Sequence, residues 1–375
     1  MIKKVLVFNY TGWNQIAASL TEGLKLNKNI KIFSTTKSCY GSDIVINSKR
    51  LYNVRSLTSV PDAAAPSLYT SSIVCDTDEY ITECQDLMDE CDLVVIYDDN
   101  KKISTAHFHN KDGIRVDLHE YALRYHKDKV VMIDVSDFHI MEYGAYAGGN
   151  PIYSKIYFKR EKNLDDEYPD NVVPLPFSAE RRYFASGNDF NKMWDDKTFK
   201  LAFLFRSDGI NERKNLINEI ADRYSGDEKC VTNNVFGRSC EDGMDEELEG
   251  TNTGECVRHH HKYFDVISKT KINIEGRPGS TAFYTGRMME SLANGCCYFY
   301  PTPSYNVDFP NGLVDGEDFI IYHSTEDLIE KIEYYLSHET EMRTIAENGF
   351  NKLMKYHTSK VRAKEFIETC ERYME

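Results

Sequence analysis

The sequence lacks a long apolar run and a C-x-x-C motif. The longest apolar runs, at 93–97 and 201–205, have the length of buried strands, whereas a membrane-spanning helix needs about 20 apolar residues. The ten cysteines include no C-x-x-C pair, and the apolar stretch after Lys4 is too short for a secretory signal. These absences predict a cytoplasmic protein with reduced thiols and no membrane span.

The sequence also lacks an excess of basic residues. It has 45 Lys and Arg against 60 Asp and Glu, which gives a net charge of −15. Sequence-independent binding to DNA needs a basic surface that displaces counterions, so this charge argues against it while permitting a local basic site for a phosphate. The length of 375 residues is enough for roughly two to three domains.

Short apolar runs rich in β-branched and aromatic residues recur along the chain, with helical segments between them. Runs that are apolar throughout predict strands buried on both faces of a parallel sheet, and strand–helix alternation predicts βαβ units. The expected fold class is α/β with two doubly wound Rossmann-like domains. The expected strands lie at 5–8, 30–33, 93–97, 130–133, 156–158, 172–175, 201–205, 231–236, 272–274, 297–300 and 319–322.

A linker between the two domains is expected at 179–196. It follows Pro174 and Pro176 and contains a Ser-Gly-Asn turn and a run of mixed charge. The expected domains are residues 1–178 and 197–356, followed by a final helical segment, 357–375.

Helical periodicity is clearest in the last third of the chain. A capping-box-like start at Ser324 opens one helix, and two more are expected from about 339 to 356 and from 359 to 374. The acidic stretch at 241–255 is instead typical of a solvated surface insertion.

Residues 263–322 carry the pattern with the most chemistry. After the strand around 272–274 comes a glycine-containing loop, then a helix from about 284 to 293 that stops at Asn294-Gly295. Such a loop presents free N–H groups and a positive helix end to which a diphosphate can bind, although an ordinary βα turn has the same pattern. The candidate diphosphate contacts in the loop are Gly279, Ser280 and Thr281.

Two charged residues on the following helix extend this candidate site. Arg287 can add charge-assisted hydrogen bonds to a diphosphate. Glu290 lies one turn farther on, where its carboxylate is expected to face a water-filled cleft and to accept hydrogen bonds from the two hydroxyls of a ribose.

Three motifs resemble the nucleotide-sugar half of GT-B glycosyltransferases, in particular the CgeB-like, spore-protein glycosyltransferase branch. They are Arg287-Met-Met-Glu290-Ser-Leu-Ala-Asn-Gly295, Ile345-Ala-Glu-Asn-Gly349, and His357-Thr358 with Arg362. The match covers about 197–366. The resemblance implies two domains facing a cleft, with the donor sugar nucleotide on the C-terminal domain and the acceptor on the N-terminal one. It also implies a final helix that crosses back to the N-terminal domain, and no metal or cofactor.

The sequence departs from the glycogen-synthase-like retaining branch at one position. That branch has an acidic residue eight positions before the ribose-binding glutamate, and the corresponding residue here is Ala282. The stereochemistry of transfer is therefore left open.

Without a metal, positive side chains must stabilise the departing diphosphate. Arg206 directly follows the first strand of the second domain, at the carboxyl edge where doubly wound sheets bind ligands. It is a candidate for both donor binding and catalysis. Arg213 is a further donor-binding candidate, and surface charge is the alternative for both arginines.

Candidate acceptor and base residues follow strands of the N-terminal domain. Thr11, Gly12 and Trp13 come after the first strand and are expected to contact the acceptor. Asp137 and His139 follow the strand at 130–133, and either is a candidate general base if the reaction inverts, although both are also common turn residues.

The three consecutive histidines at 259–261 are the remaining candidate for a metal site. Successive helical positions point about 100° apart, so the three cannot converge on one ion. No metal is predicted.

The sequence thus favours a metal-independent glycosyltransferase that moves a sugar from a nucleotide-diphosphate sugar to a hydroxyl of a glycan, a protein or a modified nucleobase. The acidic net charge favours a glycan or protein acceptor over DNA. Two alternatives stay open: a nucleotide-sugar epimerase of the same fold, and a non-catalytic nucleotide-sugar-binding protein. The base, the sugar, the acceptor and the oligomeric state are not specified by the sequence.

Overall fold

The computed structural model describes residues 1–8, 15–27, 29–34, 77–98, 107–109, 115–134, 154–184, 187–204, 211–224, 226–227, 229–232, 261–276 and 285–375. The strands are β1 (Lys4–Phe8), β2 (Lys31–Ser34), β3 (Leu93–Asp98), β4 (His107–His109), β5 (Arg115–Asp117), β6 (Val130–Asp134), β7 (Ile156–Lys159), β8 (Val172–Pro174), β9 (Phe199–Phe203), β10 (Cys230–Thr232), β11 (Thr270–Ile274), β12 (Cys297–Pro301) and β13 (Ile320–Tyr322). The α-helices are α1 (Gln15–Leu26), α2 (Thr77–Glu90), α3 (Leu118–Tyr125), α4 (Phe190–Asp195), α5 (Asn211–Arg223), α6 (His261–Ser268), α7 (Gly286–Ala293), α8 (Thr325–Ser337), α9 (Glu339–Tyr356) and α10 (Ser359–Met374).

Two parallel sheets with the same strand order form the framework. The first has the order β2-β1-β3-β6-β7-β8 and the second β10-β9-β11-β12-β13. In each sheet the order reverses between the first and third strands of that half, the position where open α/β sheets bind ligands outside the carboxyl ends of the strands. For the second sheet, this position lies between β9 and β11.

The α/β fold class is confirmed, since each expected strand overlaps a strand of these sheets. Their interior is apolar because helices cover both faces; all five residues of β6 and of β12 are buried. The antiparallel pair β4–β5 was not predicted, because its three-residue strands HFH and RVD contain no apolar run. The acidic stretch at 241–255 lies outside the described residues.

The predicted starts and ends of the C-terminal helices are also observed. The Ser324 side chain accepts a hydrogen bond from Asp327 N at 3.2 Å and caps α8. Gly295, which follows α7, has a φ of 63°, a left-handed conformation that favours glycine. No described helix is long and apolar enough to cross a membrane.

The chain passes between the two sheets at two adjacent places. Ala179 N donates to His357 O at 2.7 Å, and Ser359 N donates to Ala179 O at 2.8 Å. The Glu22 carboxylate of α1 accepts from Ser359 Oγ at 2.6 Å and from Arg181 N at 3.0 Å. One carboxylate of the N-terminal half therefore binds both crossings.

Helix α10 packs against α1, with backbones in close approach. A Cβ on Gly23 would lie 2.0 Å from Ser359 O, so only a residue without a side chain fits there. Farther along α10, Phe366 packs on Phe158 of β7 with ring centroids 4.7 Å apart. The last helix thus completes the core of the N-terminal half.

A second contact joins the segments that follow β7 and β12. Leu164 N donates to Asn306 O at 2.8 Å, and Asp308 N donates to Lys162 O at 2.7 Å. Both segments leave the carboxyl ends of their strands, so the carboxyl edge of one sheet faces that of the other. A ligand bound at the end of β11 therefore lies on the side facing the N-terminal half.

Candidate active site

The candidate site is built where β11 ends and α7 begins. Strand β11 is followed directly by Glu275, and α7 starts at Gly286 with Thr285 as its N-cap. The Thr285 hydroxyl accepts a hydrogen bond from Met288 N at 3.3 Å, which fixes the first turn of the helix. Helix α7 therefore begins after the carboxyl end of β11, at the reversal of strand order, and the glycine-containing loop predicted between them lies outside the described residues.

Helix α7 is fastened to β11 by a polar contact in its middle. Asn273 Nδ2 donates to Ser291 Oγ at 2.6 Å, and Ser291 Oγ donates to Arg287 O at 2.7 Å. At the other end, Asn294 Nδ2 donates to Tyr183 O at 2.6 Å. The helix that carries Arg287 and Glu290 is therefore held rigidly.

Arg287 forms an ion pair with Glu275. The guanidinium donates through Nη1 to Glu275 Oε1, and 15% of the Arg287 side chain remains exposed. The structure thus gives this predicted diphosphate contact a carboxylate partner within the same half of the chain.

Glu290 is 2% exposed and accepts a hydrogen bond from the Tyr263 phenol, with 2.8 Å between Tyr263 Oη and Glu290 Oε2. The sequence predicts instead that this side chain faces a water-filled cleft, and that expectation is wrong for the structure described here. The physical reason is α6, which follows α5 and β10 in the chain and brings the fully buried Tyr263 against α7.

Arg213 is the third residue of α5 and is partly exposed. The other predicted site residues lie outside the described residues: Thr11, Gly12, Trp13, Asp137, His139, Arg206, Gly279, Ser280 and Thr281. Of the three histidines, only His261 is described, as the first residue of α6. The described part of the chain contains no group of three or more metal-ligating side chains.

Sequence reasoning missed Glu275 and Tyr263. Glu275 directly follows the strand expected at 272–274, and a charged residue in that place is itself a signal for a carboxyl-edge site. Tyr263 gives no such signal, because one tyrosine on an apolar helical stripe looks like any core residue.

The other two motifs of the resemblance have structural roles. In the second, Gly349 of α9 lies against Asp318, where a Cβ would be 2.3 Å from the Asp318 carbonyl oxygen. In the third, buried His357 contacts Asn311 O through Nε2 at 2.9 Å, and Arg362 Nη2 lies 3.1 Å from His357 Nδ1. This third motif holds the place where the chain crosses between the two halves.

Comparison with known proteins is consistent with this geometry. A family model described as glycosyl transferase-like matches residues 213–368, which include α7 and all three motifs. No curated protein matches the chain by sequence. The segment 213–368 therefore carries a glycosyl transferase-like domain, and the fold of the chain is that of GT-B glycosyltransferases.

Solved structures of similar fold align over the whole chain. A glycosyltransferase from Rickettsia africae ESF-5 aligns over 100% of this chain and 99% of its own, with a TM-score of 0.57 and 9% identity. Anabaena HepE in complex with UDP-glucose aligns over 98% of this chain and 99% of its own, with a TM-score of 0.59 and 9% identity. Sucrose-phosphate synthase from Thermosynechococcus elongatus aligns over 99% and 98%, with a TM-score of 0.50 and 7% identity. At these identities the likeness establishes the fold of both halves.

Proposed function

We propose that this glycosyltransferase transfers a sugar from a UDP-sugar to a hydroxyl group of a glycan or a protein, without a metal ion. The observation that carries this function is the position of Arg287 and Glu290 on α7, at the carboxyl end of β11 and inside the segment that matches the glycosyl transferase-like family. Uridine as the base is supported by HepE, a protein of the same fold whose structure contains UDP-glucose.

Three residues apart on one helix, Arg287 and Glu290 lie on the same face. In the proposed complex the Glu290 carboxylate accepts hydrogen bonds from the ribose hydroxyls, in addition to the one from Tyr263. The diphosphate binds at the first turn of α7, where N–H groups and the Arg287 guanidinium favour negative charge.

The transfer breaks the bond between the anomeric carbon of the sugar and the β-phosphate oxygen, and UDP leaves with the electron pair. The acceptor oxygen forms the new bond to the anomeric carbon, and its proton passes to a base. Arg206, Arg213 and Arg287 are the predicted cations that stabilise the departing UDP. Asp137 or His139 is the predicted base if configuration inverts, and Thr11, Gly12 and Trp13 are the predicted acceptor contacts.

Several finer assignments stay predictions alongside this function. They are membership of the CgeB-like branch, the domain limits 1–178, 179–196, 197–356 and 357–375, and a cytoplasmic location. A glycan or protein acceptor is preferred over DNA because the net charge is −15.

Calorimetric titration with UDP, GDP, CMP, TDP and ADP tests the donor site. UDP is expected to bind more tightly than the other four. Glu290→Gln is expected to weaken UDP binding about ten- to a hundredfold, because hydrogen bonds to a charged group contribute about 1.5–3 kcal/mol and 1.4 kcal/mol is tenfold. Arg287→Ala is expected to weaken the binding of UDP more than the binding of uridine, because only UDP carries the diphosphate. Lys364→Ala, whose side chain is 74% exposed on α10, is the matched control with unchanged binding.

Turnover separates the transferase from its two alternatives. A transferase releases UDP from UDP-glucose faster when an acceptor is added, whereas an epimerase converts the sugar nucleotide with no acceptor and no net release of UDP. A binding protein gives a calorimetric signal without any turnover. Unchanged UDP affinity in Glu290→Gln, with tight binding by the wild type, would contradict the proposed donor site.

A further inference from the structure

Glu275, directly after β11, is held by hydrogen bonds to its main chain and to its side chain. Its backbone N–H donates to Phe299 O of β12 at 2.9 Å, and its carbonyl oxygen accepts from the Tyr322 phenol at 2.6 Å. The residue is 1% exposed. Its main chain is therefore fixed by both β12 and β13, and the direction of its side chain is fixed with it.

Three side chains donate to the Glu275 carboxylate. Oε2 accepts from the Tyr298 phenol at 2.8 Å and from the Thr285 hydroxyl at 3.0 Å, and Oε1 accepts from the Arg287 guanidinium. Burial, followed by the charge of Glu275, raises the pKa of Tyr298 well above its ordinary value, so the phenol stays protonated and donates. The carboxylate is thus paired and oriented.

Two of these three contacts reach the start of α7, whereas Tyr298 belongs to β12. Thr285 is the N-cap of the helix, and Arg287 lies in its first turn. Attachment of the helix to the sheet does not require them, because Asn273 and Ser291 already join β11 to the middle of α7. The Glu275 contacts therefore determine the position of the first turn and of the guanidinium.

If these residues only held α7 against the sheet, apolar side chains could do so without the loss of solvation that a buried ion pair suffers. A buried carboxylate loses most of its hydration, and replacing buried ion pairs by apolar residues of similar volume is often neutral or stabilising. The Arg287 side chain, by contrast, is still 15% exposed at the edge where the diphosphate is proposed to bind. A fixed carboxylate behind an arginine holds the cation in one orientation before the substrate arrives.

We propose that Glu275 is a positioning residue for glycosyl transfer, which holds Arg287 and the first turn of α7 in the orientation that binds the donor diphosphate. This role rests on the proposed function, because it acts through the contact between Arg287 and the diphosphate. It differs from the missing acidic residue of the retaining branch, which would lie at the position of Ala282.

A double-mutant cycle tests this role, with UDP and uridine titrated by calorimetry and with kcat and KM for UDP-glucose. Glu275→Gln keeps the shape of the side chain and removes its charge. This variant is expected to weaken UDP binding about tenfold and to raise the KM for UDP-glucose, with the affinity for uridine unchanged. In the Arg287→Ala background, Glu275→Gln is expected to have no further effect on UDP. Tyr298→Phe removes one hydrogen bond to the same carboxylate but leaves the ion pair, and UDP affinity is expected to change less than threefold.

Each outcome bears on a different step. Equal losses of affinity for UDP and for uridine would mean a merely structural role. Additive losses of UDP affinity in the double variant would mean that Glu275 does not act through Arg287. Either result overturns the positioning role and leaves the proposed function intact. A wild type that binds no UDP overturns the proposed function, and the positioning role with it. If Glu275→Gln does not fold, Glu275→Asp replaces it, because aspartate keeps the charge but is shorter by one methylene. This variant is expected to reduce the affinity for UDP but not for uridine. An unchanged UDP affinity overturns the positioning role.

Discussion

The phenol of Tyr263 donates a hydrogen bond of 2.8 Å to Glu290, and both side chains are buried. Tyr263 belongs to α6 and Glu290 to α7, so the contact fixes a carboxylate of one helix from another. A carboxylate that is bonded in this way has one orientation before a ribose binds. Tyr263 is therefore expected to affect nucleotide affinity although it is remote from the diphosphate.

Tyr263→Phe keeps the ring and removes the hydroxyl. The Glu290 carboxylate loses a buried donor, a cost of about 1.5–3 kcal/mol in unfolding free energy for a hydrogen bond to a charged group. Uridine and UDP affinities are expected to fall by similar factors, about three- to tenfold, because the ribose contact is common to both. Calorimetry and urea unfolding measure the two effects.

Tyr183→Phe is the matched control for this variant. Its phenol donates to Glu180 at 2.8 Å, also in a buried position, but in the stretch between the two sheets. A similar loss of stability with unchanged UDP affinity is expected. Equal UDP affinity in Tyr263→Phe and wild type would remove Tyr263 from the site.

Much of the fold follows from local sequence patterns. Strand β3 is apolar from Leu93 to Tyr97 and β12 is apolar throughout, and α9 and α10 begin and end at the residues that helical periodicity predicts. Burial on both faces and helical spacing are properties of a few neighbouring residues, so a sequence displays them directly. The pair β4–β5 lacked such a signal because its strands are short and polar.

The site was only partly predictable, because its contacts join residues far apart in the chain. Helix α7, which carries Glu290, could be found from the glycine-containing loop before it and the Asn294-Gly295 stop after it. The buried environment of Glu290 could not be predicted, since it depends on contact with Tyr263, 27 residues earlier in the chain. The partner of Arg287 was likewise hidden, because Glu275 meets it only when β11 and α7 pack together.

His357 predicts a dependence of stability on pH. Burial, followed by the charge of Arg362, lowers the pKa of His357 from 6.5 to about 3. Between these values the unfolded chain binds a proton that the folded chain does not, so stability is fully present above pH 6.5 and falls as the pH is lowered toward 3. For this one group the unfolding free energy is expected to drop by about 2 kcal/mol from pH 7 to pH 5.

His357→Gln removes this titration and keeps an amide N–H that can donate to Asn311 O. Urea unfolding of both proteins at pH 7 and pH 5 measures the effect. The variant is expected to be less stable than wild type at pH 7, with the gap narrowing by about 2 kcal/mol at pH 5. A gap that is the same at both pH values would show that His357 does not stay neutral in the folded protein.

Phe366→Ala is expected to cost about 3–5 kcal/mol of unfolding free energy, as for other buried phenylalanines. Phe366 is 1% exposed and packs on Phe158, so its removal leaves a cavity between α10 and the first sheet. Urea unfolding measures the loss, and Lys364→Ala on the exposed face of α10 is expected to change stability by less than about 0.5 kcal/mol. Equal stability of the two variants would contradict the packing of α10 on the N-terminal half. A chain truncated at residue 355 that is soluble and fully active would contradict it as well.

Gly349→Ala tests whether the glycine of the second motif is required by packing. By helix propensity alone, alanine would stabilise α9 by about 0.8–1 kcal/mol. The added Cβ would, however, lie 2.3 Å from the Asp318 carbonyl oxygen and 2.8 Å from Leu292 Cδ2, and a backbone oxygen cannot rotate away. We therefore expect the opposite sign, a loss of about 1–3 kcal/mol in urea unfolding, as for other overpacked sites. Asn351→Ala, at an exposed position two residues farther along the same helix, is expected to change stability by less than about 0.5 kcal/mol. A Gly349→Ala variant that is more stable than wild type would show that α9 does not approach Asp318 this closely.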